Sequence, residues 1–541
     1  MSILLDKEII GQLIPLMTDP EHEPLLKRLE RIQFYGGTQA IFADADWNID
    51  QVILLGQLAD RINHRALKMK CSALRGILSD PACSKVGSLR NVEPGIRAWL
   101  NQDYLDGWLY ATDGDGHPVP WLVSDVKHYV PRDKSDGKPY VTVSLMASRG
   151  VLDAQQRSKN SGESIIFFAH ETVSLSLPAL FSKHGFHHET PALKAQYEAS
   201  MVRFAELQGR HGEQFLVMKG GAMDLTSLKY RSRELTASGP ARVINDDDLV
   251  TRAMQDQVSL SFWRFHDSDE SRFRQLPQHP YLYCFDLARH ANVWVHPAYM
   301  EPYPYDASLS EKLILPQVHR DLLDVLVADL DVLNTDIIAG KSAGTTILCT
   351  GGPGLGKTLS AEAYSEIVAK PLYRVHSGQL GINATEIERQ LREVLLRAQR
   401  WGAILLIDEA DVYIRQRGDD VLHNAIVAAF LRTLEYFSGL LFMTSNRVND
   451  IDDAIMSRCI AHIKYETPDA DSARRIWSVM SVQLGAELPA SLIEDLVLLF
   501  PEASGRDIKN LLALVMRYVA AREEPYSVDV FRKIAVFRGL I

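Results

Sequence analysis

The spacing of apolar positions divides the chain into four stretches with different predicted structure. Residues 1–100 carry helix-period patterns such as ILLDKEIIGQLIPLM and EPLLKRLERI, which predict a helical region. From 101 to 300 the apolar residues fall in short alternating runs bounded by turn residues, which predict a β-rich α+β region. Residues 301–467 alternate short apolar strands with helices, and residues 468–541 have a helical pattern throughout.

The β-rich stretch contains a predicted hairpin and several further strands. WLYAT, DGDGH and PVPWLV have the order strand, turn, strand. PYVTVSLM, SIIFF, QFLVM, YLYCF and NVWVH are further strand candidates, and LKAQYEASMVRFAEL, from Leu193, is a predicted helix. We expect these residues to form a unit distinct from the α/β stretch that follows them.

The stretch 301–467 predicts a parallel sheet with helices on both faces. Its strand candidates are TTILCT, PLYRV, AILLID, LLFMTSN and AHIKY, and a predicted helix precedes them after Pro316. Alternation of short buried strands with helices is typical of this architecture. The expected fold class is an α/β domain with a helical carboxyl-terminal unit, preceded by a helical and a β-rich α+β region.

Composition and charge narrow the class of protein. A chain of 541 residues is too long for one hydrophobic core and predicts three to four domains. The 58 basic and 69 acidic side chains give a net charge of -11, so the chain has no general attraction to nucleic acid or to an anionic membrane. We therefore do not favour a nucleic-acid partner, and we expect no membrane partner.

Cysteine usage and the amino terminus indicate a compartment. The five cysteines show no CxxC spacing, so buried thiols in a reducing environment are expected rather than disulfides or a zinc site. MSILLDKEII has charged residues where a signal peptide needs its apolar core, and no run reaches the 18 or so apolar residues of a membrane span. The expected location is the cytoplasm.

A phosphate-binding loop is the strongest chemical signal in the sequence. GGPGLGKT follows the strand TTILCT and opens the helix LSAEAYSEIVA, the context that the P-loop requires. Glycines let backbone N–H groups surround a phosphate, and the helix N-terminus adds partial positive charge. Lys357 is expected to bind the β- and γ-phosphates and Thr358 to ligate Mg²⁺. The predicted loop residues are Gly351, Gly352, Pro353, Gly354, Leu355, Gly356, Lys357 and Thr358.

Two later strands end in polar residues that complete a candidate hydrolytic site. Asp408 and Glu409 follow the apolar strand AILLI, and Asn446 ends LLFMTSN. Ligands of open α/β sheets collect at the carboxyl ends of the strands. Asp408 suits the nucleotide-bound Mg²⁺, Glu409 suits activation of the attacking water, and Asn446 suits orientation of that water or contact with the γ-phosphate.

These motifs together resemble those of AAA+ ATPases. GGPGLGKT, ILLIDEAD, the strand-terminal Asn446, SRC and SGRDIKN are similar in order to the Walker A, Walker B, sensor 1, arginine finger and sensor 2 elements of that family. The resemblance covers about residues 310–541 and implies ATP and Mg²⁺ as ligands. It also implies an AAA+ domain at 301–467, a helical lid at 468–541, and an amino-terminal region that recognises a partner.

The resemblance further implies an active site shared between subunits. Arg458 of the SRC motif would act on the γ-phosphate bound by a neighbouring subunit, and Arg447 is an alternative for that role. Arg506 would report the nucleotide state from the lid of its own subunit. Such sharing implies a homo-oligomeric ring, expected to be a hexamer.

Three functions remain open from the sequence. The first is an ATPase that remodels a protein client. The second is an ATP-gated assembly switch without client threading, which is favoured by HSGQLGINATEIERQL because no aromatic residue lies at the position where unfoldases grip polypeptide. The third is a clamp-loader-like DNA-associated ATPase, suggested by SRC and opposed by the acidic balance.

Overall fold

The protein is described by a computed structural model. The residues it describes are 4–35, 39–41, 49–80, 82, 84–100, 107–113, 116–131, 137–152, 158–218, 221–224, 232–234, 240–247, 276–328, 344–381, 383–435 and 437–540. Within these ranges no helix has both the length and the apolar character that a bilayer crossing requires.

The described residues between 4 and 80 form a small helical unit, as the apolar periodicity predicts. Its elements are β1 (Leu4–Asp6), α1 (Lys7–Leu13), α2 (Glu23–Tyr35), β2 (Gln39–Ile41), α3 (Ile49–Arg61) and α4 (Arg65–Ser79). The next helix, α5 (Val92–Leu100), packs instead in the apolar core of the five-stranded sheet that follows. Strands β1 and β2 pair antiparallel. Leucines from α1, α2, α3 and α4 share one apolar core, which includes Leu13, Leu29, Leu55 and Leu74.

The β-rich stretch contains two antiparallel sheets. The first has five strands in the order β6-β5-β4-β3-β7. Its elements are β3 (Leu109–Thr112), β4 (Pro118–Tyr129), β5 (Tyr140–Leu152), β6 (Ser158–Phe168), α6 (Ala169–Ser174), α7 (Leu177–Lys183) and β7 (Phe186–His188). The predicted hairpin is confirmed, because β3 and β4 pair antiparallel with Leu109 opposite Trp121.

The second sheet has seven strands in the order β10-β9-β13-β12-β11-β8-β14. Its elements are α8 (Pro191–Gln208), β8 (Gln214–Val217), β9 (Gly221–Asp224), β10 (Ser232–Glu234), β11 (Ala241–Asn245), β12 (Leu282–Asp286), β13 (Ala291–Val295) and β14 (Met300–Pro302). The strands predicted at YLYCF and NVWVH are β12 and β13, which pair antiparallel. The helix predicted from Leu193 is α8.

A five-stranded parallel sheet forms the α/β domain, as predicted. Its strands are β15 (Thr345–Gly351), β16 (Leu372–His376), β17 (Ile404–Asp408), β18 (Leu440–Ser445) and β19 (Ala461–Tyr465), in the order β16-β17-β18-β15-β19. Its helices are α9 (Leu309–Lys312), α10 (Gln317–Ala328), α11 (Lys357–Ile367), α12 (Ala384–Trp401), α13 (Asp411–Ile414), α14 (Val421–Leu434) and α15 (Asp453–Met456).

Strand order decides which residues can meet at the site. Every residue of β15, β17 and β18 is buried, since helices cover both faces of the sheet. Because β18 lies between β15 and β17, the carboxyl ends of all three strands are neighbours. The loop after β15, Asp408 at the end of β17 and Asn446 just after β18 therefore share one edge of the sheet.

The carboxyl-terminal unit is helical and is called the lid. It consists of α16 (Ala470–Leu484), α17 (Ala490–Leu499), α18 (Gly505–Arg522) and α19 (Val528–Ala535). Its core contains the buried Trp477, whose ring meets that of Phe531 edge-on at 5.7 Å between centroids. Helix α18 begins with a capping box, in which Ser504 Oγ accepts from the Asp507 N–H and the Asp507 carboxylate accepts from the Ser504 N–H.

The seven-stranded sheet is docked on the α/β domain at the end of α12. Asp246, just after β11, accepts hydrogen bonds from Trp401 Nε1 at 2.7 Å and from the Arg400 guanidinium. Phe285 of β12 packs against the rings of Trp401 and Tyr373, with centroids 5.1 and 5.5 Å away. Phe285 thus belongs to the apolar core of the α/β domain, so the two units share a buried boundary.

We expect Asp246→Ala to weaken this boundary. Asp246 is 5% exposed, and its removal leaves the buried Trp401 N–H without its acceptor. The free energy of unfolding should fall by about 1–3 kcal/mol, the cost of an unsatisfied buried donor, in urea denaturation. Asp529→Ala is the matched control, because that carboxylate is 94% exposed and 3.9 Å from Arg532. Equal urea midpoints for both variants would show that the boundary contributes little.

Candidate functional site

The P-loop, residues 351–358, adopts a backbone that favours glycine at three points. Gly351 has φ +146°, Gly354 has φ +81° and Gly356 has φ +97°, all in the region that L-residues rarely adopt. A Cβ on Gly351 would lie 2.3 Å from the carbonyl oxygen of Tyr465, and one on Gly354 would lie 2.7 Å from Ser504 Oγ. The loop is therefore held between β19 on one side and the lid on the other.

Lys357 lies inside this loop. Its ammonium donates to the carbonyls of Gly351 and Gly352 at 2.7 and 2.6 Å and to Asn446 Oδ1 at 2.9 Å. Burial lowers the pKa of Lys357, and the nearby Asp411 carboxylate opposes that shift. The structure thus brings Lys357 and Asn446, which are 89 positions apart in the sequence, into direct contact.

Asp408 is held by three side chains. Its Oδ1 accepts from Thr358 Oγ1 at 3.0 Å and from Thr444 Oγ1 at 2.5 Å, and its Oδ2 pairs with Arg374 Nη2 at 2.5 Å. Burial acts to raise the pKa of Asp408, but these hydrogen bonds and the Arg374 charge outweigh it and lower the pKa. The group at this position is accordingly a carboxylate.

Glu409 follows with an unusual backbone. It has φ +56°, a left-handed conformation that costs a non-glycine residue about 1–3 kcal/mol. Its N–H donates to Thr444 Oγ1 at 3.1 Å, and the next N–H, of Ala410, donates to the Thr444 carbonyl at 2.8 Å. These bonds hold the turn, and the exposed Glu409 lines the cleft described below.

Asn446 is fixed by a residue that the sequence analysis did not select. Its backbone N–H donates to Asp411 Oδ1 at 3.2 Å, and the same oxygen accepts from the Ser445 hydroxyl. Asp411 belongs to the same AILLIDEAD stretch as Asp408, so the motif itself was a signal for it. Thr444 and Arg374 were also missed; they lie within the predicted strands LLFMTSN and PLYRV.

These residues border a cleft of about 1890 Å³ that is lined by the α/β domain, the lid and part of the seven-stranded sheet. Residues 353–358 of the P-loop line the cleft together with Asp408, Glu409 and Asn446. Apolar side chains from both units line another part of the cleft, including Leu313, Leu315, Ile476 and Met480. Such a cleft can hold a phosphate group beside its charged side chains and a flat ring beside its apolar ones.

Arg506 reaches this cleft from the lid, whereas the two candidate trans arginines do not reach it. Arg506 lines the cleft, and its backbone N–H donates to the Gly354 carbonyl at 3.3 Å. Of the residues that the structure describes, the cleft lining includes neither Arg447 nor Arg458. Arg447 donates to Asp450 at 2.9 Å and Arg458 to the Ala454 carbonyl at 3.2 Å, with 45% and 37% of their side chains exposed.

The site also offers oxygen ligands suited to magnesium. Thr358 Oγ1 and Asp408 Oδ1 are 3.0 Å apart beside the P-loop, and both residues line the cleft. A hydroxyl and a carboxylate are hard oxygen donors, the kind that Mg²⁺ prefers when it is bound together with phosphates. The donor set therefore fits the ion.

Comparison with known proteins agrees with this geometry. The family described as ATPase family associated with various cellular activities (AAA) matches residues 347–467, which contain the P-loop, Asp408, Asn446 and Arg458. Residues 347–467 form an AAA-family ATPase domain. The predictions of an AAA+ ATPase domain and of its parallel-sheet fold class are confirmed.

The curated relatives of the AAA domain are matched over part of their length. A proteasome-associated ATPase of Acidothermus cellulolyticus is 35% identical over 160 residues, which are 24% of this chain and 27% of the relative. A 26S proteasome regulatory subunit homolog of Methanothermobacter thermautotrophicus is 27% identical over 197 residues, 34% of this chain and 52% of the relative. The chain thus spans about a quarter of the proteasome-associated relative and about half of the second.

Among solved structures, the E. coli MS115-1 HORMA:CdnC:Trip13 complex contains a chain that is 18% identical. The match covers 42% of this chain and 90% of that chain, with a TM-score of 0.35.

We expect Gly354→Ala to weaken nucleotide binding by the AAA domain. The added Cβ would lie 2.7 Å from Ser504 Oγ and 2.8 Å from Arg506 Cβ, at a φ of +81°, so the P-loop or the lid must move. The dissociation constant of a fluorescent ATP analogue should rise about tenfold or more, equivalent to about 1.4 kcal/mol. Gly418→Ala is the control, because its added Cβ meets nothing within 4 Å. Unchanged affinity in Gly354→Ala would contradict this account of the loop.

Proposed function

We propose that the protein is a ring-forming AAA+ ATPase that uses ATP hydrolysis to remodel a protein partner. The observation that carries the proposal is the convergence of Lys357, Asp408, Glu409 and Asn446 on one cleft that the lid closes from the other side. The relatives' names, which refer to the proteasome, support a protein client.

The division of labour follows from the positions of the side chains. Lys357 and the N–H groups of the P-loop bind the β- and γ-phosphates, and Thr358 and Asp408 hold Mg²⁺. Bound Mg²⁺ would neutralise charge on the β- and γ-phosphate oxygens. Glu409 takes a proton from water as the water oxygen attacks the γ-phosphorus and the bond to the β–γ bridging oxygen breaks. Asn446 orients that water.

The lid is proposed to report the nucleotide state in its own subunit. Arg506 lines the cleft, and the loop glycine Gly354 is in contact with the start of α18. A phosphate bound in the P-loop would therefore affect the position of the lid directly. The proposed unit boundaries are 1–100, 101–300, 301–467 and 468–541, with the first two recognising the partner.

A second subunit is proposed to complete each site. Arg458 is exposed and lies off the cleft of its own subunit, as a residue that acts in trans must. Arg447 shares both properties and remains the alternative. The resulting assembly is a homo-oligomeric ring, proposed to be a hexamer.

The cytoplasm is the proposed compartment. Among the described residues Cys71, Cys284, Cys349 and Cys459 carry free thiols. Burial raises the pKa of Cys71, Cys349 and Cys459 to about 12, so these thiols are poor nucleophiles. A reducing compartment suits such cysteines. We propose neither a membrane partner nor a nucleic-acid partner.

An ATP-gated assembly switch is the second candidate function. In the loop that follows β16, Leu380 is fully buried in the core of the AAA domain, so it does not offer a grip for a polypeptide. Ile382, the other apolar residue of that loop, lies outside the described residues. Partner release separates the two functions, since a remodelling ATPase needs turnover and a switch needs only ATP binding. ATPase activity stimulated by DNA would favour the clamp-loader alternative instead.

Glu409→Gln should abolish hydrolysis while retaining nucleotide binding. The amide cannot accept the proton of the attacking water, so the rate of phosphate release should fall about 10²- to 10⁴-fold. The affinity for a fluorescent ATP analogue should stay within about threefold, because Glu409 is not assigned to the phosphates. Glu502→Gln, at an exposed glutamate in the lid, is the matched control. Near-normal phosphate release by Glu409→Gln would refute the assigned base.

Mixing two inactive variants tests the trans arginine. Lys357→Ala and Arg458→Ala should each lose about 10³-fold or more of the ATPase rate. A mixture should regain activity wherever an intact P-loop faces an intact arginine of a neighbour. Co-assembly is checked by pull-down between differently tagged variants. No recovery in a co-assembled mixture would remove Arg458 from the role, and Arg447→Ala would then be tested in the same way.

A further inference from the structure

Arg374 is a charged residue in β16, the edge strand of the parallel sheet beside the nucleotide site. It lies at the middle of β16, between Tyr373 and Val375, which are both buried on the opposite face of the strand. In the parallel pairing its register partner on β17 is Leu406, two residues before Asp408. The side chain lines the same cleft as the P-loop, so its position is not that of an ordinary surface arginine.

The guanidinium of Arg374 joins two carboxylates. Nη2 lies 2.5 Å from Asp408 Oδ2, and Nη1 lies 3.2 Å from Glu362 Oε1 on α11. Arg374 is 40% exposed, whereas the side chain of Asp408 is only 7% exposed. The buried carboxylate therefore receives a charged partner from the rim of the cleft.

This contact divides the two oxygens of Asp408 between different partners. Oδ1 accepts from the hydroxyls of Thr358 and Thr444, and Oδ2 is taken by Arg374. A carboxylate held at both oxygens is restrained from rotating about its Cβ–Cγ bond. The oxygen next to Thr358, which belongs to the proposed Mg²⁺ site, is thereby kept facing that site.

We propose that Arg374 is a positioning residue that holds Asp408 in the orientation required to bind the metal ion of Mg²⁺-ATP. The inference rests on the proposed function, since it assigns a role within the same site. Arg374 acts through Asp408 and touches neither phosphate nor water in this role. Loss of such an outer partner typically reduces metal affinity about 10- to 100-fold.

A purely structural role for the same arginine predicts a different result. Arg374 also ties α11 to β17 through Glu362, and this tie would stabilise the fold whatever Asp408 does. The two roles predict different effects of an Arg374 substitution on Mg²⁺-dependent nucleotide binding. A positioning role changes the gain in nucleotide affinity that Mg²⁺ provides, whereas a tie between elements changes stability alone.

The experiment measures that gain directly. A fluorescent, non-hydrolysable ATP analogue is titrated into the full chain with excess Mg²⁺ and, separately, with EDTA, and the ratio of the two dissociation constants is the metal-dependent gain. Arg374→Gln should lose about 10- to 100-fold of this gain and keep the EDTA affinity within about twofold. Arg374→Lys should retain part of the gain, because one ammonium can still reach Asp408.

Two further variants separate the outcomes. Glu362→Gln removes the other ion pair of Arg374 and leaves its contact with Asp408, so the gain should stay within about threefold of the wild type. Arg392→Gln, an exposed arginine of α12 paired with Glu388, should not change the gain at all. Thermal unfolding of each variant identifies those that fail to fold; if Arg374→Gln is one of them, Arg374→Lys alone decides the question.

Three results overturn the inference: an undiminished gain in Arg374→Gln, an undiminished gain in Arg374→Lys when only that variant folds, and an equal loss of gain in Arg374→Gln and Glu362→Gln. A wild-type chain that binds no nucleotide in either buffer would instead reject the proposed function itself. Normal binding and a normal metal-dependent gain in the wild type, with no change in the Arg374 variants, would reject the positioning role alone.

Discussion

The nucleotide site depends on one buried positive charge, the ammonium of Lys357. A buried charge is costly unless hydrogen bonds replace its lost hydration, and Lys357 obtains these from two P-loop carbonyls and from Asn446. The loop that supplies these carbonyls has positive φ at Gly351, Gly354 and Gly356, a conformation that favours glycine. Asn446 is within reach only because β18 is the neighbour of β15. Loop conformation and strand order are thus linked through a single side chain.

Hydrogen bonds from several elements also fix the acidic side chains of the cleft. Asp408 is surrounded by donors from three different elements, namely α11, β16 and β18. Thr444 serves two neighbouring residues, since its hydroxyl also accepts from the Glu409 backbone and so supports that residue's left-handed turn. The candidate metal ligand and the candidate base are therefore positioned by one threonine, and neither can shift without affecting the other.

The sequence identified those site residues that lie at the end of a predicted strand or directly after it. The P-loop, Asp408, Glu409 and Asn446 could be selected because each follows a short apolar strand. Thr444 and Arg374 could not, because their importance comes from hydrogen bonds across strands whose order the sequence does not state. Asp411 lies within the ILLIDEAD motif, but its contacts with Ser445 and Asn446 depend on the same strand order. The contact of Gly354 with Ser504 likewise depends on where the lid packs. In the amino-terminal region the sequence predicted β3 to β6, β8, β12 and β13 but not the short strands β7, β9, β10, β11 and β14, and the division into two sheets follows from non-local pairing.

The docking of Phe285 and Asp246 on α12 has a mechanical consequence. Helix α12 has 18 residues, about 27 Å at 1.5 Å per residue, and it begins directly after the loop that contains Leu380. Trp401, at its far end, carries the seven-stranded sheet. A tilt of this helix would therefore move the sheet with it. The region proposed to recognise the client is thus coupled to the ATPase core through packed side chains at the end of α12.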